Sequence, residues 1–211
     1  MTTDTPTKRY HHGSLPEALL AAAETVLLRD GIPGLGLRAI AREAGVSHTA
    51  PKHHFGDMTG LVSELAAVGY GRLSDAMRNA AAAHDELRAR RNAIAHAYVH
   101  FAYDNPAMFG LMFRNEIIDM QRPVLNDAAR EAMRVMAAII GAKNAPPDDA
   151  PVSLSGTEAM RITAAWGYVH GLAILLIDQR LPGIIKVTPD FDDPIALVDK
   201  ALDDVRFGFE A

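Results

Sequence analysis

The segment LRAIAREAGVSHTAPKHHFGD, Leu37 to Asp57, decides how this chain is read. Leu37, Ile40, Ala41 and Ala44 recur at helical spacing, Gly45 breaks the run, and Val46 supplies an apolar plug before a second short helix. Ala41 is small enough to let two helices cross closely. Ser47 stands as N-cap of the second helix, with His48, Thr49 and Ala50 at its first three positions and Pro51 at the fourth. From there the proline removes one backbone hydrogen bond, to the Ser47 carbonyl, or none if the helix starts one residue later, at a cost well below the roughly 3 kcal/mol of an interior proline. A short helix, a glycine turn and another short helix form a helix-turn-helix pattern, for which spacing alone leaves a generic helical hairpin as the alternative.

Working outward, Ser14-Leu15-Pro16-Glu17 reads as a capping box that starts a helix ending at Asp30-Gly31. Leu15, Leu19, Ala22, Ala23, Val26 and Leu27 fall on one face of it. Downstream, Asp57 is placed to cap a helix from Thr59 to Ala83, in which Gly69 and Gly71 mark bending or close packing. Further helices are predicted over Glu86–Asp104, PAMFGLMF (106–113), Pro123–Ile140, Gly156–Leu181 and Pro194–Phe209. The stretches Lys143–Gly156 and Pro182–Pro194 read as loops by composition, the former as a mobile one. The expectation is an all-α fold of about nine helices: a three-helix head over residues 1–58 and a larger helical domain over 59–211.

The formal net charge of −5 does not suit a protein that coats nucleic acid, but its distribution is uneven. Residues 1–60 hold six Lys/Arg against six Asp/Glu and five of the nine histidines, so the negative balance lies entirely beyond them. A neutral, His-rich head on an acidic body fits a DNA reader of modest non-specific affinity. The chain has no cysteine, which rules out disulfides and thiolate metal sites and suits a reducing cytoplasm. Its first residues lack the apolar core of a secretory signal, and no apolar run reaches the roughly 18 residues of a membrane span. No Ser-His-Asp arrangement, carboxylate pair or phosphate-cradling glycine loop stands out, so an enzyme is not expected.

The first 62 residues resemble the DNA-binding head of the tetracycline-repressor (TetR-like) family of bacterial transcription regulators. The resemblance rests on Leu37-Arg38-Ala39-Ile40-Ala41, Ala44-Gly45-Val46-Ser47, His54-Phe55 and Leu61. AWGYVHGLAILLIDQRL, with Trp166, His170 and Gly171, is similar to a subgroup named for its Trp-His-Gly signature, and DNPAMFGLMF suits it too. The resemblance implies a homodimer joined through its last two helices. It also implies a third helix in the major groove of a double-stranded DNA operator, and a small-molecule effector that releases the operator. Family members usually carry a phosphate-binding lysine where this chain has Met58; Lys52 stands where a tyrosine is common. With one lysine in the segment, a rival reading is a ligand-binding or enzymatic helical protein whose head no longer reads DNA.

Roles follow for individual residues. His48 and Thr49 at the start of the reading helix are placed to meet base edges, and Ser47, its cap, is counted with the DNA-binding residues. Lys52, His53 and His54 lie later, toward phosphates, as does Arg38 on the preceding helix. Lys8, Arg9 and Tyr10 could lie along the minor groove. His54 has a structural alternative, packing near Phe55, and Lys52 a bland one, a solvated surface charge. Phe101, Phe109, Met112, Phe113, Met133 and Met136 are candidates for an apolar effector cavity, or for plain core. Trp166 and His170 share a helical face, as an interior hydrogen-bonded pair or as effector contacts. His96 and His100 also sit four apart, but Ala97 stands where a zinc-peptidase helix needs glutamate, so partly buried or cavity-lining polar groups are expected rather than a metal site. No cofactor and no membrane partner is expected. Gly167 and Gly171 form a small-residue strip suited to a close helix crossing in the dimer.

Overall fold

The computed structural model describes residues 14–137 and 154–205, and every regular element among them is helical. The described residues form ten helices: α1 Leu15–Gly34, α2 Leu37–Glu43, α3 Ala50–Phe55, α4 Met58–Ala82, α5 Leu87–Asp104, α6 Pro106–Met112, α7 Pro123–Ala137, α8 Gly156–Ile177, α9 Pro182–Ile185 and α10 Pro194–Asp204. The one not anticipated is α9, a single turn too short to show a period. Two compact units result, Met1–Leu61 and Val62–Ala211. The first turn of α4, with fully buried Leu61, belongs to the first of them. Lys8, Arg9 and Tyr10, and most of the predicted Lys143–Gly156 loop, lie outside the described residues.

In the first unit, α1 begins at the capping box, where the Glu17 carboxylate accepts the Ser14 N–H at 3.1 Å. Its regular part ends at Gly31, whose φ of 68° no side-chain-bearing residue adopts cheaply; one further turn follows. Leu19, Ala22, Ala23, Val26 and Leu27 are buried where α1 packs on α2 and α3, whose Ile40, Ala41 and Phe55 are buried too. Gly45, also at φ 68°, makes the turn, and the Val46 N–H donates back to the Ala41 carbonyl at 3.0 Å.

Helix α3 starts later than its sequence indicates. Thr49, not Ser47, is its N-cap, and Pro51 occupies the second helical position, where it is buried. The cause is the proline itself. Without an N–H it cannot close the helical turn on the Ser47 carbonyl, which instead receives Ala50 in a tighter turn at 3.0 Å. The first α-type bond runs from His53 N–H to the Thr49 carbonyl, also 3.0 Å, so Pro51 costs the helix no hydrogen bond.

The second unit is built around α5 packed on α8, with α10 against both. Gly69 of α4 is a close-packing glycine: a Cβ there would come within 2.7 Å of Met112 Sδ and 3.0 Å of Met108 Cγ. A Cβ at Gly71 would meet nothing within 4 Å among the described residues, so it has no such role there. Helix α8 begins at a Ser155–Glu158 capping box and stops at Ile177, four residues before the predicted Leu181. Gln179, at φ 54°, adopts the left-handed conformation; its N–H reaches the Leu176 carbonyl at 3.0 Å, and the Arg180 N–H reaches Leu175 at 2.9 Å. This is the Schellman termination usually signalled by glycine, here written with glutamine. Among the described residues α8 alone is long and apolar enough to cross a membrane, at a mean hydropathy of 1.4. Alanine, glycine and aliphatic residues bring it there without an uninterrupted apolar run.

Candidate DNA-contacting face and effector cavity

The turn into α3 and the helix itself present Ser47, His48, Thr49, Lys52, His53 and His54 to solvent. His48 and Thr49 sit in the turn rather than in the first helical turn, and the Ser47 and Thr49 hydroxyls lie 3.1 Å apart. The His53 and His54 rings meet edge-on at 5.3 Å, and His54 stands 6.5 Å from the Phe55 ring while remaining exposed. Phe55 and Pro51 anchor the opposite side of the helix. Arg38 is exposed on α2, and Arg42, one turn on and not anticipated, is exposed beside it. Arg29 differs: Asp30 at 3.0 Å and Glu43 at 2.7 Å hold its guanidinium and raise its pKa further. It is therefore neutralised within the unit, whereas Arg38, Arg42 and Lys52 remain unpaired among the described residues. Met58 opens α4, half-buried, beside Asp57, whose carboxylate accepts the Gly60 N–H at 2.7 Å.

The second unit has a half-open cavity of about 290 Å³, just below the ~300–1,000 Å³ range of small-molecule pockets. Of the residues singled out from the sequence, Phe113, Met133, Met136 and Trp166 line it. So do Tyr70, Leu73 and Met77 of α4, Tyr98 of α5, and Asn115, Met120, Ala129 and Ala132, which were not. The spacing 70, 73, 77 marks one face of α4, but such a face reads equally as core. Phe101, Phe109 and Met112 are buried without lining the cavity, Met112 because it fills the notch over Gly69. His170 is likewise absent from the lining and stands behind it. Its ring lies 4.6 Å from Phe113, 5.5 Å from Phe109, 5.9 Å from Trp166 and 6.3 Å from Tyr98.

That aromatic surround desolvates His170 and lowers its pKa, which favours the neutral ring. The Tyr98 hydroxyl accepts the Trp166 indole N–H at 3.2 Å and donates to His170 Nδ1 at 2.9 Å, placing the remaining ring proton on Nε2. Burial raises the Tyr98 pKa, so this hydroxyl keeps its proton. Tyr70, pushed up to about 12 by burial, donates to the Met112 carbonyl at 3.1 Å. With both phenols and the indole committed, the Asn115 side chain is the main polar group left on the wall. His96 and His100 do not line this cavity; they face α10, where His96 Nδ1 and His100 Nε2 approach Asp199.

An all-helical chain with a helix-turn-helix head and a separate helical unit around an apolar cavity has the architecture of a ligand-binding DNA regulator. The family described as tetracyclin repressor-like, C-terminal domain, matches residues 92–205, and that described as bacterial regulatory proteins, tetR family, matches residues 19–65. The chain therefore belongs to the tetR family of bacterial regulatory proteins and is a DNA-binding regulator of transcription. A protein of unknown function from Rhodococcus sp. RHA1 is 34% identical, with 93% of this chain and 97% of that one covered and a TM-score of 0.69. A regulatory protein of the tetR family from Rhodococcus RHA1 (20% identity, 90% and 94% covered, TM-score 0.60) shares the fold. So does the TetR family regulator PfmR from Thermus thermophilus (13%, 88% and 94%, 0.58). No curated protein matches the chain.

Proposed function

We propose that the chain is an effector-responsive repressor that binds a pseudo-palindromic operator as a cytoplasmic homodimer and has no enzymatic activity. The carrying observation is that α4 runs unbroken from Met58, which follows the reading helix, to Tyr70, Leu73 and Met77 on the cavity wall. An effector pressing on those three side chains acts on the same helix from which the head continues. The wall chemistry favours a largely apolar effector with one polar group for Asn115. In this reading residues 1–58 bind DNA and residues 59–211 bind effector and dimerise.

His48 and Thr49 read bases, Ser47 orients Thr49, and Arg38, Lys52, His53 and His54 hold phosphates, with Lys8, Arg9 and Tyr10 along the minor groove. Dimerisation through α8 and α10 is supported by an apolar strip on α8: Met160 is 68% exposed, Leu175 39%, and Ala164 and Gly167 lie between them. Half-sites should then lie about 34–36 Å apart or a multiple of it.

The test is a gel shift of the full chain on DNA upstream of its own gene, with and without non-specific competitor. A competitor-resistant shift is expected. Its absence at low salt favours the second reading, a ligand-binding protein with a silent head, for which Met58 in place of a phosphate-binding lysine is the supporting observation.

A further inference from the structure

On the side of α5 that faces α10, two pairs of side chains meet, each spaced by one helical turn: His96 and His100 on α5, Asp199 and Asp203 on α10. A single oxygen, Asp199 Oδ1, lies 3.0 Å from His96 Nδ1 and 2.8 Å from His100 Nε2. The other nitrogen of His96, Nε2, lies 3.0 Å from Asp203 Oδ1. A neutral imidazole owns one N–H, so neutral His96 can donate to only one of the two carboxylates that flank it. At the other it opposes a lone pair to an anion. A cation held by Nδ1 and the Asp199 carboxylate removes that conflict and leaves Nε2–H to donate to Asp203. Lys200, which is next to Asp199 in sequence, is occupied by Asp204 at 3.1 Å and does not compete.

We propose that His96 Nδ1, His100 Nε2 and the Asp199 carboxylate bind a divalent transition-metal ion of the zinc class, with Asp203 orienting His96 from outside. The three ligand atoms lie within 4.8 Å of one another, which leaves room for an ion about 2.0–2.2 Å from each once the shortest approaches open slightly. Two imidazoles and one carboxylate suit zinc and its neighbours, whereas magnesium and calcium take oxygen. The fourth position falls to water, since the His100 side chain is 43% exposed. Asp203 supplies the carboxylate–histidine–metal relay that fixes ligand orientation. This departs from the expectation of no metal site, which weighed His96 and His100 without their partners on α10. The ion would tie α10 to the helix that carries Tyr98, between the two histidines in sequence, without entering the cavity.

The test is calorimetric titration and thermal unfolding of the full, chelator-treated chain with zinc chloride. One ion per chain is expected, with Tm rising by about 5–10 °C at a hundredfold excess over Kd. Magnesium chloride should give neither effect. His100→Gln and Asp199→Asn should lose both, Asp203→Asn should weaken binding about 10–100-fold, and a His53→Ala/His54→Ala variant should bind as the parent does. Zinc-edge anomalous scattering from crystals of the unmodified protein should place the ion between α5 and α10, which requires no variant to fold. Absence of zinc binding, retention of it in His100→Gln, or an anomalous peak elsewhere overturns the site and leaves the four side chains as a hydrogen-bonded clamp.

Discussion

Gly69 and Gly71 stand two residues apart on α4, and the same substitution should act on them with opposite sign. At Gly69 a methyl meets Met112 and Met108, both fully or almost fully buried, so neither sulfur chain can swing away. Overpacking of that kind costs about 1–3 kcal/mol, which outweighs the roughly 1 kcal/mol gained in helix propensity. Gly71→Ala meets nothing and should keep the gain. Thermal unfolding should show Gly69→Ala melting below the parent and Gly71→Ala about 2–4 °C above it; a stabilised Gly69→Ala would refute the packing argument. Lys52 poses a functional question at the same scale. It is exposed and unpaired on α3, so Lys52→Ala should weaken binding to specific and random DNA alike and reduce the slope of log K against log salt by about 1. An unchanged slope would mean the lysine only faces water.

Elements were legible wherever a start signal and a period agreed. Ser14–Glu17 and Asp57 marked α1 and α4 because each satisfies orphan N–H groups within one turn. Misplaced boundaries have local causes. Before α3, Ser47 and Thr49 both had cap chemistry, and the missing N–H of Pro51 decided between them. After α8, a glutamine took the left-handed cap position that sequence reading reserves for glycine. At the other end of α8, the Ser155 N–H and hydroxyl donate to Glu158 at 2.9 and 2.8 Å, and these bonds lower the Glu158 pKa. A carboxylate whose folded pKa is depressed stabilises the folded state fully above its ordinary value of 4.5, and this is lost as pH falls through the lowered value. Ser155→Ala should therefore lower Tm at neutral pH, and the gap from the parent should narrow on acidification below the usual carboxylate range. A gap that is constant with pH would assign the effect to the Glu158 N–H that the Ser155 hydroxyl accepts at 3.2 Å, not to the carboxylate.

At the scale of the whole molecule, the cavity was harder to read than the helices around it. Periodicity reports which face of a helix is buried, not whether the space opposite is filled. Phe109 and Met112 thus looked the same in sequence as Phe113 and Met136, though the first two are core and the others line a void. Tyr70 and Tyr98 went unmarked because their hydroxyl partners lie 42 and 72 residues away in the chain. The proposed dimer makes a prediction of its own. A Cβ at Gly167 meets nothing within 4 Å among the described residues, and Gly167 is exposed, so Gly167→Leu should leave the fold intact and block a close crossing of two α8 helices. Light scattering should then find monomers with unchanged helical circular dichroism, and operator affinity should fall with the loss of the second head. Intact dimers would move the interface off this strip.

Trp166 is the only tryptophan in the chain, and it stands on the cavity wall with its indole N–H bound to Tyr98. Excited at its red edge, the protein therefore has a single emitter, located where an occupant would change the polarity around it. A library of small molecules can be screened against unlabelled protein by emission wavelength alone.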